Sequence, residues 1–199
     1  MSSPFDFKTR FAKGLPEPQP KWTGFPKYNF IGGHNDPQSI PVEGLIEATA
    51  RVLRRRGQTI ATYNQDCGPL GDIEMREFLS EKLAKFRGMS VTTEDILVTS
   101  GSGQALDLIN DVLLESGDAV IMEEFTYQGA MNRLRARGVN VYGAKLDQGG
   151  IDVAALEIQL DTLAAKGVIP KFVYTIPTVQ NPTSSVLSVE RRMALLKVT

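Results

Sequence analysis

At 199 residues, with 42% hydrophobic and 23% charged residues, the chain has the composition of an ordinary globular protein, long enough for one large domain or a domain and a half. A formal net charge of −1 gives no electrostatic reason to expect nucleic acid or an anionic membrane surface as partner. No apolar run approaches the length that spans a bilayer, the M-S-S-P-F-D-F-K start lacks a secretory apolar core, and a single cysteine, Cys67, excludes an internal disulfide, so a reducing cytoplasm is the simplest compartment.

Residues 1–40 carry prolines, glycines and aromatics without a helical period. Pro16, Pro18, Pro20 and Pro26 keep the backbone extended, which predicts an irregular arm packing Trp22, Phe25, Tyr28 and Phe30 against another part of the protein. In I-G-G-H-N-D-P, residues 31–37, Gly32 and Gly33 allow either a plain turn or a close approach of backbone to a ligand. His34, the only histidine, reads as a solvated turn residue. Pro41 opens a helix with Val42, Leu45, Ile46, Val52 and Leu53 on one face; arginines crowd its last turns and Gly57 stops it. The polar loop T-Y-N-Q-D-C-G-P-L-G-D, residues 62–72, leads into a second helix with Met75, Phe78, Leu79, Leu83 and Phe86 on its buried side, ended by Gly88. Tyr63 in that loop is core filler or a ligand contact.

From Thr93 onward the pattern is regular. Apolar runs of strand length at 96–98, 119–122, 139–142 and 172–176 alternate with helical segments at 104–115, 127–137 and 153–166, and Gly117, Gly138 and Gly167 punctuate the helix ends. Such alternation predicts a parallel sheet covered on both faces, with the loop after every strand on one edge, where ligands of open α/β sheets bind. A last helix begins at the N-cap candidate Ser188, carries Met193, Leu195 and Leu196, and meets no glycine or proline, so the sequence reads as stopping in mid-helix.

The stretch I-L-V-T-S-G-S-G-Q-A-L-D-L-I-N-D-V-L, residues 96–113, organises the rest: a strand, a glycine-bearing turn, then a helix with Ala105, Leu108, Ile109, Val112 and Leu113 on one face. A helix start leaves N–H groups unpaired at the positive end of the dipole, and the glycines admit an anion close to the backbone. Two readings follow, a phosphate cup or an ordinary serine-capped helix. The spacing matches neither G-x-x-x-x-G-K-[ST] nor G-x-G-x-x-G.

Three loops on the predicted edge, V-T-S-G-S-G-Q-A-L-D-L, E-E-F-T-Y-Q-G and Y-T-I-P-T-V-Q-N-P-T-S, together resemble the pyridoxal-phosphate-dependent aminotransferases of class I/II, in particular the subgroup that includes 2-aminoadipate aminotransferases. F-I-G-G-H-N-D-P, T-Y-N-Q-D-C-G-P-L-G-D and M-R-E-F-L precede them in family order. The resemblance implies the fold type I architecture: three α/β/α layers with a mostly parallel sheet, residues 1–58 forming an arm and part of the small domain, and 59–199 the first half of the large cofactor domain. It implies pyridoxal 5'-phosphate as cofactor, an amino acid and a 2-oxo acid as substrates, and no metal.

By the same resemblance, Ser102, Gly103 and Gln104 map onto the phosphate cup, Tyr127 onto the aromatic stacked on the cofactor ring, and Asn181 onto the donor to the ring's phenolic oxygen. Tyr63 maps onto a tyrosine that reaches the neighbouring subunit's cofactor phosphate, implying a homodimer, and Gly33 onto a backbone position beside the substrate carboxylate. There are departures. Ser184 stands where the family has glycine after N-P-T, in a turn that favours positive φ. The Schiff-base lysine, the aspartate at the pyridinium nitrogen and the arginine that clamps the substrate lie later in the family, so no lysine here is assigned, and the chain is expected to be an N-terminal half, inactive alone and with uncovered apolar faces. A non-catalytic effector domain of aminotransferase-like transcription regulators is the alternative; the proline-rich, non-basic residues 1–40 argue against it. A dinucleotide-binding domain is a third reading, loosely met by Glu123 and Glu124 about 20 positions after the turn, but it leaves Tyr127 and Asn181 unexplained.

Overall fold

The computed structural model describes residues 5–11, 15, 18, 20–21, 23–28, 32–62 and 68–199, and the chain divides into two compact units, Met1–Thr62 and Tyr63–Thr199. In the first unit, helix α1 (Val42–Arg56) begins after Pro41 and gathers Arg54, Arg55 and Arg56 in its last turn, where cations complement the dipole. Gly57 caps the end of α1 as expected, but without a left-handed turn: at φ −58 it stays right-handed, donates to Leu53 O, and the backbone tightens into a 3₁₀ turn, Gly57–Ala61. The expected apolar stripe is present, but Leu45, Ile46 and Val52 remain 54%, 56% and 51% exposed, because the described residues of this unit offer nothing to cover them. Phe25 and Tyr28 are likewise exposed, and Phe25 meets the His34 ring edge-on at 5.1 Å. Trp22 and Phe30 lie outside the described residues.

The second unit opens with α2 (Ile73–Arg87), started by the Asp72 carboxylate, which accepts the Met75 N–H at 3.1 Å, and closed by Gly88 at φ +64, a left-handed cap that glycine adopts without steric cost. Then follow α3 (Gly101–Leu113), β1 (Ala119–Glu123), α4 (Gln128–Ala136), β2 (Asn140–Ala144), β3 (Leu146–Asp147), β4 (Gly150–Ile151), α5 (Val153–Ala164), β5 (Pro170–Tyr174) and α6 (Val189–Val198). β1 is central, parallel to both neighbours in the order β2-β1-β5, while β3 and β4 form a separate antiparallel pair.

Every residue of β1 is buried, and its pleat feeds two cores. Val120 and Met122 pack with Ala130 and Leu134 of α4, with Leu106 of α3 at the margin. Ile121 points the other way, toward Leu156 and Leu163 of α5, with Leu195 and Val198 of α6. Helices on both faces of a parallel sheet make the three layers expected. Each fully buried side chain of β1 contributes about 1.5–3 kcal/mol by area. Among the described residues no helix is long and apolar enough to cross a membrane.

Three local expectations need correction. Residues 96–98 are extended but join no ladder: the Val98 N–H donates to Leu70 O at 2.9 Å, and Leu97 and Val98 stay 47% and 38% exposed. An apolar run supplies propensity, whereas a strand also needs a neighbour. The α3 face predicted to be buried turns outward, with Val112 81% exposed; the helix docks instead through Leu106, Asn110 and two aspartates. On α2, Leu79 and Leu83 are half-buried as expected but Phe78 and Phe86 are exposed, and the buried residue is Arg76, which donates to Gly71 O and Thr93 O at 3.1 and 2.7 Å.

Candidate functional site

The site begins with the alignment of α3 and α4. Arg133 pairs with Asp107, Arg137 reaches both Asp107 and Asp111, and a Cβ on Gly103 would lie 2.7 Å from Arg133 Nη2. Each step forward along α3 is answered by a step forward along α4, so the helices run side by side in one direction. The N-terminus of α4 follows the carboxyl end of β1 directly, and the turn at 100–104 therefore sits at that same rim of the sheet.

The helix start carries no side-chain cap. Asp72, Asp152 and Ser188 cap α2, α5 and α6 with their side chains, whereas Ser100 makes no capping bond. Its N–H donates instead to Gln104 Oε1 at 2.6 Å, so the glutamine side chain folds back over the turn. Among the described residues no acceptor takes the N–H of Ser102 or Gly103. Of the two readings of this turn, the serine cap is not made, and the donors an anion needs are left free at the positive end of the dipole.

Tyr127 occupies the N-cap position of α4, also without a side-chain cap, and its ring is 47% exposed, its end lying over Gly129. Asn181 is exposed on the loop after β5, forms no hydrogen bond with any described residue, and is joined to Pro182 by a cis peptide. The loop is contorted: Val179 and Ser184 take φ +51 and +63, a region that disfavours residues with a Cβ. Ser184 thus fills a left-handed position that suits glycine.

Beneath these loops lies a group that the motif reading passed over. Glu123, at the end of β1, is 3% exposed and accepts from Thr175 Oγ1 at 2.6 Å, Ile176 N at 3.1 Å and Gln180 Nε2 at 2.7 Å. All three donors are neutral, and together they satisfy a carboxylate whose burial is otherwise costly. Gln180, 2% exposed, also donates to Phe125 O at 2.6 Å and accepts from Thr183 N and Oγ1, both at 2.8 Å. The sequence signal was available: the apolar run of β1 continues into an acidic residue on a strand buried on both faces, and such a residue must find donors. Tyr174 lies nearby; burial first, then the charge of Glu123 and the Tyr127 phenol, push its hydroxyl above the ordinary value, so it stays protonated at neutral pH.

Ser102, Gly103, Gln104, Tyr127 and Asn181 therefore all stand on segments at the carboxyl rim. Gly33 lies in the first unit, in an exposed loop at φ +55, and Tyr63 lies outside the described residues. The dinucleotide reading fails here, since Glu123 is buried and fully engaged and Glu124 turns an oxygen to Leu146 N at 2.9 Å.

The family model for aminotransferase class I and II matches residues 32–199. The chain belongs to that family. A 2-aminoadipate transaminase of Thermus thermophilus is 34% identical over 170 residues, covering 85% of this chain and 39% of the relative. The crystal structure of LysN, an α-aminoadipate aminotransferase of the same organism complexed with N-(5'-phosphopyridoxyl)-L-leucine, superposes with a TM-score of 0.72 at 34% identity, covering 83% of this chain and 39% of that one. The transcriptional regulator YjiR of Escherichia coli is also similar, 29% identical over 82% of this chain and 33% of its own length. The chain thus spans about two fifths of the length of the first aminotransferase relatives it matches. Family and complex together indicate pyridoxal 5'-phosphate as the cofactor.

The residues present fit that group on structural grounds. Unpaired amides suit a phosphate, an exposed aromatic suits a ring face, and an unpartnered amide suits a phenolic oxygen.

Proposed function

We propose that this chain forms part of an enzyme that moves an amino group between an amino acid and a 2-oxo acid, and that it contributes the phosphate cup, the stacking ring and one polar contact to the cofactor. Pyridoxal phosphate, when bound, supplies an electron sink for the carbanion at the substrate's Cα. The amides of Ser102, Gly103 and Gln104 hold its phosphate, Tyr127 fixes the plane of its ring, and Asn181 donates to its phenolic oxygen and keeps that oxygen anionic. The observation that carries this reading is the uncapped start of α3, with free N–H groups at the rim from which Tyr127 and Asn181 also project.

On the same reading residues 1–58 are an arm and part of a small domain, residues 59–199 belong to the large domain, and Gly33 offers backbone to the substrate carboxylate. Tyr63 reaches the partner's cofactor phosphate in a cytoplasmic homodimer of amino-acid metabolism. The reactive lysine, the aspartate facing the ring nitrogen and the arginine clamping the substrate come from residues that are not in this sequence. The test is to incubate the full-length protein with pyridoxal phosphate, a panel of L-amino acids and a 2-oxo acid, and follow formation of the new amino acid by chromatography. Amino transfer supports the reading; tight cofactor binding without transfer favours the effector-domain alternative, which the likeness to YjiR supports; and no cofactor binding refutes both.

A further inference from the structure

Both loops assigned to the cofactor ring meet at one buried carboxylate. We propose that Glu123, acting through Gln180, is a positioning residue that sets where Asn181 and Tyr127 stand against the cofactor; this rests on the reading of Asn181 as donor to the phenolic oxygen.

A glutamine amide has two orientations, and its neighbours decide between them. Both Glu123 oxygens accept from neighbouring donors, and Phe125 O only accepts, so both residues demand the Gln180 NH₂ group, at 2.7 and 2.6 Å. Gln180 Oε1 is thereby turned toward Thr183, whose N–H and hydroxyl both donate to it. The backbone is pinned as well: Gln180 N donates to Ser185 O at 2.8 Å and Ser184 N to Gln180 O at 2.6 Å. Asn181 and Pro182 are the residues bracketed by these bonds.

Left-handed, non-glycine conformations at Val179 and Ser184 flank the same segment, and such conformations persist only where the surroundings over-determine them. Meanwhile the Asn181 side chain is exposed and makes no bond to any described residue, which leaves its amide free for a ligand. The bond to Phe125 O places the other loop under the same control, two residues before Tyr127.

The isosteric change Glu123→Gln tests this with almost no change of volume. A glutamine at 123 must present an NH₂ group either to Ile176 N–H or to Gln180 NH₂, and both are donors. Either way one bond is lost, and with the NH₂ turned toward Gln180 that amide keeps only Phe125 O of the two acceptors that orient it. The experiment uses the full-length protein loaded with pyridoxal phosphate and reads the pH midpoint of the bound cofactor's visible absorption, beside cofactor affinity and the thermal melt of the cofactor-free protein. A donor to the phenolate stabilises it most when the neighbouring proton has left, so losing that donor raises the midpoint. Asn181→Ala is expected to raise it by about one pH unit, and Glu123→Gln to raise it in the same direction.

The double variant E123Q/N181A is expected to match N181A alone in this midpoint, which reads the donor to the phenolic oxygen and not the ring contact of Tyr127; independent effects would add. Thr183→Val, which removes one of two donors to Gln180 Oε1, is expected to move the midpoint the same way by less, and serves if E123Q does not fold. A midpoint unmoved in E123Q or T183V while N181A shifts it, or an additive double variant, overturns the inference alone. An unmoved midpoint in N181A overturns the Asn181 assignment and the inference with it.

Discussion

Gly129→Ala separates the stability of this fold from its grip on the cofactor. Gly129 is the second residue of α4, and the end of the Tyr127 ring occupies the space a side chain there would need: a Cβ would sit 2.5 Å from the Tyr127 hydroxyl and 2.7 Å from Cε1. Real Cβ atoms do not approach so closely, so something must yield. What yields is the free end of an exposed side chain, not backbone. Gly129 also has no positive φ, so alanine accepts its helical conformation and gains about 0.5–1 kcal/mol over glycine. The apoprotein is expected to melt at the same temperature or roughly 2–4 °C higher. The displaced ring loses its stacking, worth about 0.5–1.5 kcal/mol, which corresponds to about 2- to 12-fold weaker binding of pyridoxal phosphate. Calorimetry and cofactor titration of the full-length variant measure both quantities. Unchanged affinity refutes the stacking role of Tyr127; a melt several degrees lower refutes the argument that the ring swings freely.

Tyr127→Ala in the full-length protein is expected to weaken cofactor retention at least as much as Gly129→Ala, and equal affinity to wild type in dialysis counts against ring stacking. Ser184→Gly relieves a left-handed residue at φ +63; the gain of about 1–2 kcal/mol, partly offset by glycine's freedom when unfolded, leaves roughly 0.5–1 kcal/mol of added stability in urea, and a loss contradicts it. Thr126 Oγ1 is buried without a partner among the described residues, so the isosteric Thr126→Val is expected to hold or raise stability by up to about 1 kcal/mol in the same assay. The hydrogen bond from Arg133 holds Asp107 below its ordinary value of 3.8. Its contribution is therefore full above that value and fades as pH falls below it, so the gap in stability between wild type and Asp107→Asn should close in acid; a gap constant from pH 7 to about pH 2 contradicts this.

Much of the fold was legible because the second unit obeys simple periodicities. Glycines at 117, 138 and 167 and the apolar runs between them located α4, α5 and three parallel strands to within a few residues. What misled was burial. The stripes on α1 and α3 are amphipathic, yet amphipathicity states only that a face seeks cover, and the described residues do not provide it. Residues 96–98 failed as a strand for the same reason, having no ladder partner among the described residues. The short β3–β4 pair escaped because two-residue strands carry no period. At the site, loop motifs drew attention to Ser102, Tyr127 and Asn181, which are exposed on segments at the carboxyl rim. The bonds between Glu123, Gln180 and their neighbours stayed hidden because these partners are 52 to 57 residues apart in sequence, and only the sheet brings them together.

The central claim is that a single pyridoxal phosphate is held at the carboxyl rim by its tail, its ring face and its oxygen. A crystal structure of the full-length protein with the cofactor bound measures this most directly. The account predicts phosphate oxygens within hydrogen-bond distance of the Ser102 and Gly103 amides, the ring against Tyr127 and the phenolic oxygen on the Asn181 side chain. A cofactor phosphate seated away from the start of α3 would contradict it.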